Sequence, residues 1–152
     1  PSRRSTEISM VTEHSLKPVL DLTKFSYLGV DVYVYITQAD AGTRAAGINA
    51  AAMALADAGM PMKDLITSIA VGKVSDKIVV DLDKDEEDHE DGATDLPMAM
   101  STRTGEITLL QMDGNMTQKE IKEAVEMGMK ACIEIKKVQV EALKAKYTEA
   151  GK

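Results

Sequence analysis

Gln38-Ala39-Asp40-Ala41-Gly42-Thr43-Arg44 stands where an alternating, strand-like run ends and an alanine-rich, helix-like run begins. Glycine has no Cβ, so at such a turn the backbone comes close to a ligand. The free N–H groups in the first turn of the helix, with the helix dipole behind them, make a site for an anion. Arg44 adds a planar guanidinium suited to phosphate oxygens. The stretch reads as a phosphate or carboxylate site mounted at a helix N-terminus, within an α/β fold. The same residues also fit an ordinary glycine turn with Thr43 as helix cap and Arg44 on the surface, since short glycine motifs occur widely.

The neighbouring segments follow from periodicity. Upstream, residues 30–37 alternate with period two, placing Val30, Val32, Val34 and Ile36 on one face and Asp31, Tyr33 and Tyr35 on the other. That pattern predicts a half-buried strand whose second face is covered by a neighbouring element or subunit. Downstream, residues 43–58 are almost all small or apolar and predict a helix buried on most sides, ended by Gly59 and Pro61. Residues 3–20 predict a helix with its last turn disturbed by Pro18. Residues 65–74 and 77–81 predict one strand pair, turning at Ser75-Asp76. Residues 94–101 and 106–112 predict another, turning at Thr104-Gly105. Thr117 with Glu120 forms a capping box for a last helix whose apolar stripe includes Gly128 and Cys132.

The chain has 152 residues, enough for one domain with a core. With no Trp, one Phe and ten Met, that core is aliphatic, and no aromatic platform for stacking bases is evident. A net charge of −7 argues against a free-standing nucleic-acid binder, while leaving room for a local basic pocket or a basic partner. No signal-peptide pattern and no membrane-length apolar run are present, and the single cysteine, Cys132, fits a reducing compartment, so a cytoplasmic location is expected. Arg3 and Arg4 open the first helix, where the dipole disfavours cations. A frayed, solvated terminus accounts for them, as does a functional role.

Between the two strand pairs lies a run dense in carboxylates, from Asp81 through Asp88, His89 and Asp91 to Asp95. Such runs are mostly solvated loops. Clustered carboxylates also bind hard cations such as Mg²⁺, and a crowded carboxyl has a raised pKa and serves as a general acid. Spacing alone does not select one of them.

Four blocks taken together resemble one family: Arg3-Arg4-Ser5 with Glu7-Ile8-Ser9, residues 38–44, residues 81–95, and Thr108-Leu109-Leu110-Gln111-Met112-Asp113-Gly114. Their order and spacing are similar to the RNase PH family, and within it to the catalytic subunit type of the archaeal exosome. The resemblance implies an α/β (α+β) RNase PH-like fold, related to the second domain of ribosomal protein S5, with mixed sheets packed by helices. It also implies phosphorolysis, in which inorganic phosphate as co-substrate releases nucleoside diphosphates from the 3′ end of single-stranded RNA. Gly42, Thr43 and Arg44 then match the phosphate-binding motif, and Arg3 and Arg4 match an arginine pair that grips the RNA, with Arg44 alongside. Asp88 matches the catalytic aspartate that protonates the leaving oxygen, and Asp95 a second acidic position that supports it or, with Asp88, a Mg²⁺ ion. The interval from Asp88 to Asp95 is one residue longer than the family's usual pattern.

The implied partners are a homologous inactive subunit in a hexameric ring, RNA-binding cap subunits and no membrane. The family pattern places several strands before Pro1, so residues 1–152 are expected to form the C-terminal portion of a single RNase PH-type domain, with those strands supplied by a separate chain. A stand-alone tRNA 3′-trimming RNase PH and a non-catalytic structural ring subunit are the alternatives. A generic anion-binding α/β domain is the plainest reading.

Overall fold

A computed structural model describes residues 2–149. Its centre is a four-stranded sheet of order β2-β1-β3-β4, comprising β1 (Ile66–Val74), β2 (Lys77–Val80), β3 (Ala93–Ser101) and β4 (Ile107–Leu110). Every pairing is antiparallel. Both predicted strand pairs are present, and they meet through the long β1–β3 ladder, where Ile66 faces Ser101 and Val74 faces Ala93.

Because side chains alternate across a strand, this register sorts the core into two layers. Ile66 and Ala99 face one side, with Ile48, Ala51, Ala52 and Leu55 of α2 (Thr43–Asp57) and Leu16 of α1 (Arg3–Leu16) packed on them. Ile69, Val71, Met98 and Met100 face the other, covered by Ala124 and Cys132 of α4 (Gln118–Glu149). Cys132 is a buried core residue whose thiol faces the Thr67 carbonyl. At Gly128 a Cβ would meet Met98 Sδ and Val71 Cγ2, so glycine sets how closely α4 lies on the sheet. No helix among the described residues is long and apolar enough to cross a membrane.

The ends of the helices follow their caps. Thr117 and Glu120 make the expected reciprocal bonds at the start of α4. Lys73 Nζ also reaches Glu120 at 2.7 Å, and with Thr117 holds that carboxyl down to about 2. After α1 the chain tightens into a 3₁₀ turn, Lys17–Val19, at the predicted proline. The acidic run contains an element that its composition concealed, the short helix α3 (Lys84–Glu87). Asp83 and Glu86 close it with a capping box. Leu82, just before it, is buried against Gly72 of β1, where a Cβ would collide with the Leu82 side chain and the Thr94 carbonyl. Gly72 alternates with Ile66 along β1, so α3 is anchored on the face that carries α2.

One predicted strand is absent. Residues 30–37 form no ladder, and Tyr33 is 75% and Tyr35 82% exposed. Val30, Val32, Val34 and Ile36 instead line an apolar groove of about 740 Å³ with Ile8, Leu16, Phe25 and Leu28. The alternation is suited to a strand, but a strand requires a paired neighbour, and the described residues supply none.

Asn49 closes the free edge of β1. β2 pairs with β1 only at residues 71–74, leaving the Ser68 backbone facing outward. Asn49 Nδ2 donates to the Ser68 carbonyl at 2.8 Å, and the Ser68 N–H donates to Asn49 Oδ1 at 2.9 Å. Gln139 of α4 donates to Asn49 Oδ1 and to the Ile66 carbonyl. Asn49→Ala removes both partners of Ser68 and is expected to cost about 2 kcal/mol or more, measured by denaturant unfolding. A loss below ~0.5 kcal/mol, as for a neutral surface change, would contradict this role.

Candidate active site

Ala41 and Gly42 both have left-handed backbones, with φ of 57° and 55°. A Cβ on Gly42 would find no atom closer than Asp81 Oδ1 at 3.9 Å, so the backbone angle, not crowding, is what calls for glycine here. Gly42, rather than Thr43, is the N-cap of α2, and no side chain bonds the first turn. The N–H groups of that turn are therefore open to a ligand. Asp40 Oδ1 accepts from the Lys84 N–H at 3.1 Å, joining the loop to α3.

A cavity of about 220 Å³ lies where these elements converge. Its wall takes Arg4 and Ile8 from α1, Gly42, Thr43 and Arg44 from the start of α2, Lys84 and Glu87 from α3, and Asp95 from β3. Three cations and two carboxylates thus share a small space. Arg44 Nη2 donates to both oxygens of Glu7, at 3.2 and 3.0 Å, and Gln111 Nε2 donates to Glu7 Oε1 at 3.1 Å. Three polar atoms of this group are buried without partners: Arg44 Nε, Asp95 Oδ1 and Gln111 Oε1. Buried polar atoms are seldom left unpaired. Arg44 and Asp95 both line the cavity, and an unpaired donor and acceptor there suit a ligand that both accepts and donates hydrogen bonds, as a protonated phosphate does.

Burial pushes the Asp95 carboxyl above the ordinary aspartate range, aided by the charges of Glu87 and Asp113. The Arg44 charge and the Leu96 N–H only partly offset this. Asp95 is thereby better able to hold a proton than an ordinary aspartate.

Comparison with known proteins places this chain in a family. The model of the 3′ exoribonuclease family, domain 1, matches residues 1–61, and that of domain 2 matches residues 64–131. The chain belongs to the 3′ exoribonuclease, or RNase PH, family. Over 147 residues, 97% of the chain, it is 52% identical to a protein named exosome complex component Rrp41 from Methanosarcina mazei. It is 50% identical to the protein of that name from Thermococcus gammatolerans and 47% identical to that from Methanopyrus kandleri, again over 97% of the chain. It spans 29%, 58% and 61% of those relatives, respectively. The crystal structure of rice (Oryza sativa) Rrp46 superposes with a TM-score of 0.77 at 19% identity, over 95% of this chain and 68% of that one, and supports the fold.

The cavity gathers Arg4, Gly42, Thr43, Arg44 and Asp95 and leaves two candidates, Arg3 and Asp88, outside its wall. Successive helix residues point about 100° apart, so Arg3 and Arg4 do not both face it. Asp88 caps the end of α3, 64% exposed, with Oδ1 2.7 Å from Lys84 Nζ. Lys84, which lines the cavity, is thus the link between the wall and Asp88. Among the described residues no three metal-ligating side chains cluster. Mg²⁺ is commonly held by one or two carboxylates together with substrate phosphates, and within the wall Asp95 and Glu87 are the pair suited to that.

Glu7, Lys84 and Glu87 were not singled out for roles. Their signal was helical spacing: Glu7 and Ile8 follow Arg4 by three and four residues, and Glu87 follows Lys84 by three.

The fold favours protonated Asp95, so its contribution to stability is full below the ordinary aspartate range and is lost as pH rises through the raised value. Asp95→Asn is expected to melt at a higher temperature than the parent at neutral pH, with the gap closing as pH falls. Thermal unfolding from about pH 3 to 8 checks this, and a parent chain more stable than the variant at neutral pH would contradict it.

Proposed function

We propose that this chain carries the phosphate-binding and acid groups of a phosphorolytic 3′-to-5′ exoribonuclease and works as the catalytic type of subunit in an exosome-like ring. The observation that supports this most is the pair of buried, unpartnered polar atoms on Arg44 and Asp95, both in the wall that holds an uncapped helix N-terminus. In this reading inorganic phosphate sits against the first turn of α2 and Arg44, and Arg4 takes the phosphodiester of the terminal nucleotide. One phosphate oxygen bonds to that phosphorus as its bond to the preceding 3′ oxygen breaks. The departing oxygen takes a proton from the carboxyl pair, with Asp88 as donor and Asp95 supporting it. The RNA ends one nucleotide shorter with a free 3′ hydroxyl, and a nucleoside diphosphate leaves. Bringing two anions together demands cations and fixed N–H dipoles, which the wall provides.

Partners follow from the same reading. Single-stranded RNA would be delivered by a hexameric ring in which this chain alternates with an inactive homologue, below RNA-binding cap subunits. A strand from outside residues 1–152 would enter the apolar groove and pair with residues 30–37, whose alternating apolar side chains line it.

Phosphate-dependent decay of an end-labelled single-stranded RNA by the assembled complex is the test. The expected product is a nucleoside diphosphate, formed only when phosphate is present. Asp88→Asn and Asp95→Asn are each expected to slow release by about 10²-fold or more, and Arg44→Ala to raise the phosphate KM. Nucleoside monophosphates formed without phosphate would show hydrolysis instead, and no turnover by a complete ring would favour a structural subunit.

A further inference from the structure

The unpartnered edge of Arg44 directs attention to a residue outside the cavity wall. Glu7 takes two hydrogen bonds from a single nitrogen, Arg44 Nη2, while Arg44 Nε is buried and unpaired. Gln111 Nε2 holds the same carboxylate at 3.1 Å, and the Gln111 N–H is itself bonded to the Pro97 carbonyl of β3. Arg44 lines the cavity and Glu7 does not. The chain of contacts therefore runs from the sheet through Gln111 and Glu7 to one corner of the guanidinium and leaves Nε without a partner.

We propose that Glu7 is a positioning residue for anion binding, fixing Arg44 from behind so that its Nε edge stays available to phosphate, with Gln111 as the anchor of Glu7. The proposal rests on the phosphate reading of the cavity. Its physical basis is preorganisation: an arginine side chain has many rotamers, and a donor already aimed at the ligand needs no reorganisation when the ligand arrives. The Gln111 hydrogen bond, assisted by that of Arg44, keeps the Glu7 carboxyl below the ordinary glutamate range despite burial. The tether is thus charged at neutral pH.

A competing role makes the opposite prediction. Were Glu7 merely a resident anion neutralising Arg44, its removal would tighten phosphate binding. As a positioning residue, its removal loosens binding, because Arg44 loses its aim.

The test compares the full chain with Glu7→Ala, Glu7→Gln and Gln111→Ala, measuring inorganic phosphate affinity by calorimetry and Arg44 side-chain order by ¹⁵Nε relaxation. Glu7→Ala is expected to weaken phosphate binding by about tenfold or more and to lower Arg44 order. Glu7→Gln, whose amide oxygen still accepts from Arg44, is expected to recover most of both, and Gln111→Ala to show a smaller change of the same sign. Equal or tighter phosphate binding by folded Glu7→Ala, or unchanged Arg44 order, would overturn the proposal. If Glu7→Ala fails to fold, Glu7→Gln decides: near-parent affinity and order support the positioning role, and tighter binding overturns it. A parent chain that binds no phosphate, yet shows Arg44 loosened in Glu7→Ala, would support the tether and refute the phosphate reading.

Discussion

The two hydrogen bonds between the Asn49 side-chain amide and the Ser68 backbone fix the relation on which the cavity depends. An amide side chain mimics a peptide group, so Asn49 occupies the place of a missing strand neighbour on β1. In doing so it locks α2 along its own axis. A helix held only by apolar contacts between alanines has little to stop it sliding, because small side chains leave shallow grooves. With Asn49 pinned, the start of α2 stands at a set height over the sheet, and Thr43 and Arg44 are brought to the level of Asp95. Gln139 ties α4 to the same carbonyl edge from the opposite layer.

The electrostatics follow from that placement. A chain of net charge −7 is poorly suited to attract anions at long range, and this one concentrates Arg4, Arg44 and Lys84 in a single cavity. Two of the three have carboxylate partners, which offset part of the positive charge of the wall. Lys84 is paired with Asp88, and Arg44 with Glu7. The arriving anion meets fixed donors without a large standing repulsion among them. Burial favours the protonated form of Asp95, which suits a group that supports an acid next to phosphates.

Much of this was legible in the residues. The capping box at Thr117 and the glycine before Thr43 located two helices, since both are local signals. Strand-like runs on either side of the turns at Ser75-Asp76 and Thr104-Gly105 located β1 to β4 for the same reason. Residues 30–37 show the limit of such signals: alternation states what a segment is suited to, and pairing depends on a neighbour that local sequence does not contain. The helix α3 was hidden for the opposite reason, as its carboxylates resemble a solvated loop until Asp83 and Glu86 are seen capping one another. The site was readable in part. Gly42, Arg44 and Asp95 met in one wall, whereas the separation of Arg3 from Arg4 required the helix they begin. Asn49 and Glu7 act through partners 19 and 37 residues away, and no local pattern marks such pairs.

The most direct measurement is an NMR titration of the ¹⁵N-labelled chain with inorganic phosphate, following the backbone amides of Thr43, Arg44 and Ala45 and the Arg44 Nε–H. An anion seated at the start of α2 predicts saturable shifts that share one dissociation constant, including the Nε–H, and that vanish in Arg44→Ala. Amides of that turn that stay unshifted through the titration, or shift only in step with ionic strength, would contradict a phosphate site at this helix.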